Sequence, residues 1–284
     1  MAKGNLLLGT AGNSVGDVVM YRREGAQVSR VRVRKIKNPK TDAQSLQRAV
    51  FSPVAKFYSP LAVVLERSFE GLSKMKSYNK FLKTNIDLAR ANGWLLPKGT
   101  GFFPLPYQLS KGTLQVANYA ISNNELAFTL SLSSTPQAPA DTMGQLSQML
   151  IDSGYNAGDI VTVIVITRDA DNNYVPKAIQ FEIDTTSSVP TSSGISGISF
   201  NPESSDLKTV NITYGSQSIV AGAVIIARFE NDKWRRSTQS VAVATAVMTE
   251  IGTDAYKAAA IASYGMNAGD PNPLVYLDGD TLEG

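Results

Sequence analysis

Three groups of residues in this sequence have the types and spacing that chemistry uses, and each has a plainer reading beside it. Asp169, Asp171 and Asn173 stand at positions 1, 3 and 5 of a calcium loop, where successive oxygens converge on a hard cation. Tyr174 occupies the place of the turn glycine and Gln180 that of the closing Glu, so a hairpin turn is the preferred reading. Ser73 and Lys76 match the Ser-x-x-Lys spacing that pairs a nucleophile with a base in some acyl enzymes. The rest of that constellation is missing, and Lys74 and Lys76 read as a solvated basic surface. Gly9, Gly12 and Gly16 would let backbone amides approach a phosphate, but no Gly-Lys-Ser/Thr follows and the next element reads as a strand, so turns and an adaptable arm are favoured.

The commonest catalytic groups are absent. With no His and no Cys, the chain has no imidazole base, no thiolate and no disulfide. An enzyme would have to work with Asp and Glu pairs, as carboxylate hydrolases do, and no pair stands out because carboxylate separation is a spatial quantity. The expectation is a non-enzymatic protein without metal or cofactor. Absence of cysteine agrees with a reducing compartment. The apolar run after Met-Ala-Lys-Gly-Asn is too short for a signal-peptide core, and the longest apolar stretch, residues 219–227, falls short of the ~20 residues of a membrane span. We therefore expect an intracellular, soluble chain with no membrane partner.

Basic residues point to partners. Arg22, Arg23, Arg30, Arg32, Arg34, Lys35, Lys37 and Lys40 crowd one short region. They could neutralise a nucleic-acid backbone, releasing counterions, or face acids of a neighbouring subunit; subunit contact is the preferred reading. Trp234, beside Lys233, Arg235 and Arg236 at a turn, could stack on a base or sugar, and more simply covers the end of a sandwich. The charge is strongly polarised. Residues 1–100 hold 18 Lys+Arg against 6 Asp+Glu, net +12, and the remainder 9 against 18, net −9. A basic front and an acidic back suit either a polyanion or head-to-tail packing of copies.

Hydrophobic periodicity supplies the frame for these residues. Residues 15–37 read as a β-hairpin turning at Glu24-Gly25-Ala26, with Val31 and Val33 on one face and Arg30, Arg32 and Arg34 on the other. Thr41 with Gln44 fits a capping box that opens a helix running toward Pro53. Ser59-Pro60 reads as the start of a second helix over 61–70, and a third covers 78–91 before Asn92-Gly93. The Pro, Gly and aromatic stretch 97–106 reads as a linker. Beyond it, strands are expected at 113–118, 126–132, 160–167, 178–183, 209–214, 223–229 and near Ser240, interrupted by helices at 142–151 and 244–263. Residues 185–197 read as a mobile loop and 267–284 as an acidic tail that orders on a neighbour. The fold class is α+β: an N-terminal hairpin plus helices, then an antiparallel β-sandwich or barrel-like domain. The expected division is a basic domain at 1–96, a linker at 97–111, a β domain at 112–266 and the tail.

The run Gly12-Asn-Ser-Val-Gly16-Asp-Val-Val-Met-Tyr-Arg-Arg-Glu-Gly25-Ala-Gln-Val-Ser-Arg30, with Lys37-Asn-Pro-Lys-Thr41-Asp-Ala-Gln44-Ser-Leu-Gln47-Arg48-Ala-Val-Phe51, resembles the opening of an uncharacterised family of Bacteroidetes bacteria and their phages, including crAss-like phages. Leu109-Ser-Lys-Gly-Thr-Leu114 and Asp232-Lys-Trp-Arg-Arg-Ser237 resemble its later landmarks. The resemblance implies a phage virion structural protein, such as a capsid decoration, a head-fibre base or a ring of the portal and tail connector. Its partners would be other virion proteins and further copies of itself, and its place the virion, assembled in the host cytoplasm. The alternative from the residues is a nucleic-acid-binding protein that uses the Arg-rich hairpin.

Overall fold

The computed structural model describes residues 13–15, 17–23, 26–32, 42–131, 141–202 and 209–265. The chain divides into two units, one up to Thr41 and one from Asp42 onward. In the first, β1 (Asn13–Val15), β2 (Val18–Arg23) and β3 (Ala26–Val31) form an antiparallel meander in that order. The expected hairpin is present, with one more strand. Its register sets Val18 opposite Val31, Met20 opposite Ser29, and Tyr21 opposite Val28.

The second unit begins with α1 (Asp42–Leu61), a single helix that carries Pro53 and Pro60 inside it. The expected break at Pro53 does not occur, and residues 62–67 form turns where a helix over 61–70 was expected. An interior proline costs about 3 kcal/mol. The apolar stripe continues straight through it, however: Val54 and Phe57 are fully buried and Leu61 nearly so. Burying each such side chain contributes about 1.5–3 kcal/mol, which outweighs the lost hydrogen bond. α2 (Lys74–Ala91) follows and ends at Asn92 and Gly93, the latter with φ +62°.

Residues 97–111 are not a linker. The chain leading into β4 (Gln108–Ser110) is extended, and Phe103, Leu105, Tyr107 and Leu109 all point into the core that contains Phe57 and Phe81. Phe57 stacks on Phe102 and tilts against Tyr107, each at 4.8 Å between ring centres. A period of two among bulky residues marks a half-buried extended segment, and its prolines suit a stretch that makes little ladder pairing. The expected boundary at 97–111 is therefore replaced by one after Thr41.

Turn chemistry places the hairpins. β5 (Asn118–Ser122) and β6 (Glu125–Thr129) flank Asn123 and Asn124, whose φ values of +50° and +64° are those of a two-residue hairpin turn. That tight turn requires the partner strand to lie directly before it, so 118–122 pairs in place of the expected 113–118. α3 (Met143–Asp152) lies where a helix over 142–151 was expected, and a capping box of Thr142 and Gln145, not singled out from the sequence, starts it. β7 (Ile160–Arg168) and β8 (Tyr174–Glu182) form the next hairpin. β9 (Ile198–Pro202), β10 (Thr209–Tyr214), β11 (Ile219–Glu230), β12 (Lys233–Arg236), β13 (Gln239–Ser240) and β14 (Ala242–Val243) complete the strands. The expected helix 244–263 is two helices, α4 (Thr245–Gly252) and α5 (Asp254–Ser263), because Thr253 leaves helical geometry and its hydroxyl accepts from the Tyr256 amide to cap the second.

Two sheets, ordered β5-β6-β10-β9 and β12-β11-β7-β8, enclose one core. Phe128 and Ile212 from the first sheet meet Val163 and Val224 from the second, with Leu146 and Met149 of α3. The opposite face of the second sheet, through Ile164, Ala223 and Ile225, packs on α1, α2 and α4. The β domain is thus a sandwich with a helical third layer, and β7 and β11 are apolar on both faces because both are covered. A bulge between Ile219 and Ala221 shifts the register on β7, so these two odd-numbered residues enter different cores.

Residues 185–197 are pinned, contrary to the expected mobile loop. The first amides of a helix need acceptors from outside it, and carbonyls of this tract supply them: Met143 donates to Val189 at 2.8 Å and Gly144 to Ser187 at 3.0 Å. The Thr41 capping box and the tail 267–284 lie outside the described residues.

Candidate interaction surfaces

In the N-terminal unit, Val18, Met20, Ser29 and Val31 share one face of the ribbon, and Val19, Tyr21, Val28 and Arg30 share the other. No side chain described in this unit is buried; Val31 is 74% exposed. The expected valine face is thus open at Val31. Arg30 is exposed and its guanidinium lies 5.8 Å from the centre of the Tyr21 ring, a cation-π pair. Arg32 is exposed just past β3, its amide donating to the Asp17 carbonyl at 2.5 Å. The arginine face therefore also carries an aromatic ring and two valines. The Arg22 and Arg23 backbones lie in β2 opposite Gln27 and Ala26. Arg34, Lys35, Lys37, Lys40, Gly9, Gly12 and Gly16 lie outside the described residues.

The calcium-like run is a hairpin turn. Asp169 Oδ1 accepts from the amides of Asp171 at 3.0 Å and Asn173 at 2.7 Å, which ties the carboxylate into the β7–β8 connection. Among the described residues, no group of three acidic side chains is placed to hold a metal ion. Ser73 stands at the N-cap of α2, and Lys76 is exposed in its first turn. Trp234 lies on a strand: Asn231 and Asp232 make the turn, and Trp234 faces Phe229 across β11 and β12 with ring centres 5.2 Å apart. The Arg236 guanidinium lies 5.2 Å from its other neighbour, the Trp234 ring, and burial pulls that guanidinium below its ordinary pKa.

Three arrangements in the second unit have no local sequence signal. Asp159, 1% exposed, is held by Arg228 through two bonds of 2.7 and 2.8 Å and accepts a third from the Asn156 amide at 2.9 Å. The hydrogen bonds it donates to Asp159 hold the Arg228 guanidinium above its ordinary pKa. Glu70 clasps the chain beside β12, accepting from the Thr113 amide and hydroxyl at 2.9 and 3.1 Å and from the Arg236 amide at 3.4 Å. Gly112 is obligatory there, since a Cβ would sit 2.2 Å from the Arg236 carbonyl oxygen. A cleft of about 490 Å³ opens beside this clasp, lined in part by Lys80 and Lys111.

The third arrangement is a groove of about 510 Å³ between α1 and the start of α2, lined by Ala55, Tyr58, Ala62, Lys74, Met75 and Tyr78. Its floor is firm: Tyr58 packs on Tyr78 at 4.8 Å and on Phe81 at 5.0 Å between ring centres. Its rim is open, with Met75 68% exposed. The apolar stripe of Leu46, Val50 and Phe51 at the start of α1 was legible in sequence, but which parts of the two helices stay uncovered was not.

Residues 9–94 match the model of a family of unknown function (DUF6266). The match takes in the N-terminal ribbon and both long helices, and stops before the β-sandwich. No curated protein matches the chain. No solved structure matches it either.

Proposed function

We propose that this chain is a non-enzymatic structural protein of a bacteriophage particle, present in several copies, that works through protein–protein contacts of its basic N-terminal segment. The observation that carries the reading is the contrast between the two units. The second buries three clusters of apolar side chains, whereas no described side chain of the ribbon is buried. So small a sheet gains stability mainly when a face is covered, and this one offers Val31 on one face and the Tyr21 and Arg30 pair on the other.

The charge division supports contact between copies. A net +12 over residues 1–100 and −9 over the rest favours front-to-back packing, and a head-to-tail interface closes into a ring when the rotation permits. The phage setting rests on the resemblance of residues 12–30 and 37–51 to proteins of Bacteroidetes phages. A capsid decoration, a head-fibre base and a ring of the portal or tail connector are the positions this reading supplies. Mass photometry of the full chain and of a variant lacking residues 1–40, in low and high salt, tests it. Discrete oligomers that vanish without the segment are expected; a full chain that stays monomeric and ignores other virion proteins overturns the reading.

A second reading, nucleic-acid binding, is favoured by Arg30 and Arg32 standing exposed, Arg30 against the Tyr21 ring. It requires an affinity for DNA or RNA that falls steeply as salt rises, and no retention at low salt removes it.

A further inference from the structure

We propose that the groove between α1 and α2 is the docking site of this chain's own residues 273–283, held in cis. The groove has the shape and chemistry of a peptide site: small residues Ala55 and Ala62 on one wall, the Tyr58 and Tyr78 rings beneath, and the long exposed Met75 on the rim. An apolar floor with an adaptable methionine suits a short aliphatic and aromatic segment. Leu274, Val275, Tyr276 and Leu277 form such a segment, four apolar residues in a row.

Charge favours the same occupant. α2 carries Lys74, Lys76, Lys80, Lys83 and Arg90 against the single acid Asp87, and its four lysines are exposed. Residues 266–284 contain Asp270, Asp278, Asp280 and Glu283 and no basic residue. Of the α2 lysines, Lys74 lines the groove itself and is the one that Asp278 would meet with residues 274–277 in place, whereas Lys80 lines the other cleft. Lys74 already pairs with Glu66 at 3.0 Å on an exposed surface, a contact weak enough to be exchanged.

Reach allows docking within one chain. Ala260 and Tyr264 of the α5 region pack with Leu46, Ala49 and Val50 of α1. From Ala49 to Tyr58 the helix rises about 14 Å, and residues 266–273 span up to about 26 Å when extended. A tether of that length gives an effective concentration in roughly the millimolar range, so even a weak segment fills the groove. The proposal stands apart from the assembly reading, because it needs neither a second copy nor the N-terminal ribbon.

The test is fluorescence anisotropy with a labelled peptide of residues 270–284, titrated with the full chain and with a variant ending at Gly265. The peptide should bind the shortened chain and bind the full chain about tenfold or more weakly, since the tethered copy holds the groove. Met75→Glu in the shortened chain should abolish binding; Met75 is exposed, so circular dichroism should show an intact fold. A peptide with residues 273–283 scrambled keeps the charge and should not bind. The proposal is overturned if the peptide ignores the shortened chain, if Met75→Glu or scrambling leaves binding unchanged, or if full and shortened chains bind equally, which would assign the groove to another molecule.

Discussion

Replacing Arg228 by Met should destabilise the protein strongly, and replacing Asp159 by Asn in the same chain should not add its own full cost, because the two side chains form a buried pair. Met keeps most of the arginine stem's volume but removes both donors to a carboxylate that is 1% exposed. The Asn156 amide is then the remaining hydrogen-bond donor to that carboxylate among those described. Removing one partner of a buried ion pair costs about 3–5 kcal/mol, because the other is left charged and dry. For the second unit that corresponds to a fall in Tm of roughly 6–20 °C, at 2–4 °C per kcal/mol for a domain of this size. Arg228 is partly exposed, which places the expected loss toward the lower end of that range. In Asp159→Asn with Arg228→Met, no buried charge is stranded, so at least about 1 kcal/mol should return as coupling between the two sites. Differential scanning calorimetry with urea titrations on the four members of the cycle measures both quantities. If Arg228→Met melts within about 2 °C of the parent, a loss of about 1 kcal/mol or less, or if the two substitutions simply add, the buried-pair argument is wrong.

Gly144→Ala should cost roughly 1–3 kcal/mol, since its Cβ would lie 2.6 Å from the carbonyl oxygens of Thr185 and Ser187; a lowered urea midpoint and faster proteolysis within 185–197 would report it. Burial, with Asp159 nearby as the lesser cause, pushes the Tyr155 phenol from 10.0 up to about 12, and burial does the same for Tyr256. The fold favours the neutral phenols, so this contribution is complete below pH 10 and is lost as pH rises through about 12. Urea midpoints of the parent should therefore drop more steeply across that window than those of Tyr155→Phe. Arg30→Ala with Arg32→Ala should weaken assembly in mass photometry while leaving the Tm of the second unit unchanged, because both side chains are exposed in the first unit.

Short-range signals were sufficient wherever the deciding atoms lie within a few residues of one another. The Asn123-Asn124 turn and the Asp169 turn each close through local hydrogen bonds or local backbone conformation, so both turns could be read directly, although the strand before Asn123 lies at 118–122 and not at 113–118, and the helix expected over 142–151 is α3. The α+β class followed from them. Local signals misled where distant packing outweighed them. Pro53 reads as a stop but lies within a stripe whose burial exceeds its cost, and 97–111 has a linker's composition but a core segment's alternation. Residues 185–197 look loose until α3 supplies amides for their carbonyls.

Of the residues singled out for function, the exposed positions of Arg30 and Arg32 agree with the sequence pattern, while the closeness of Tyr21 to Arg30 required the cross-strand register. The groove and the Asp159–Arg228 pair had no sequence signal at all. Residue type and short spacing were enough for the hairpin turns, the α+β class, the lack of imidazole and thiol side chains and the charge division. Which apolar faces are covered and which acid meets which base depend on the packed fold, because the partners, such as Asp159 and Arg228, lie 69 residues apart and are joined by the packing of the whole second unit.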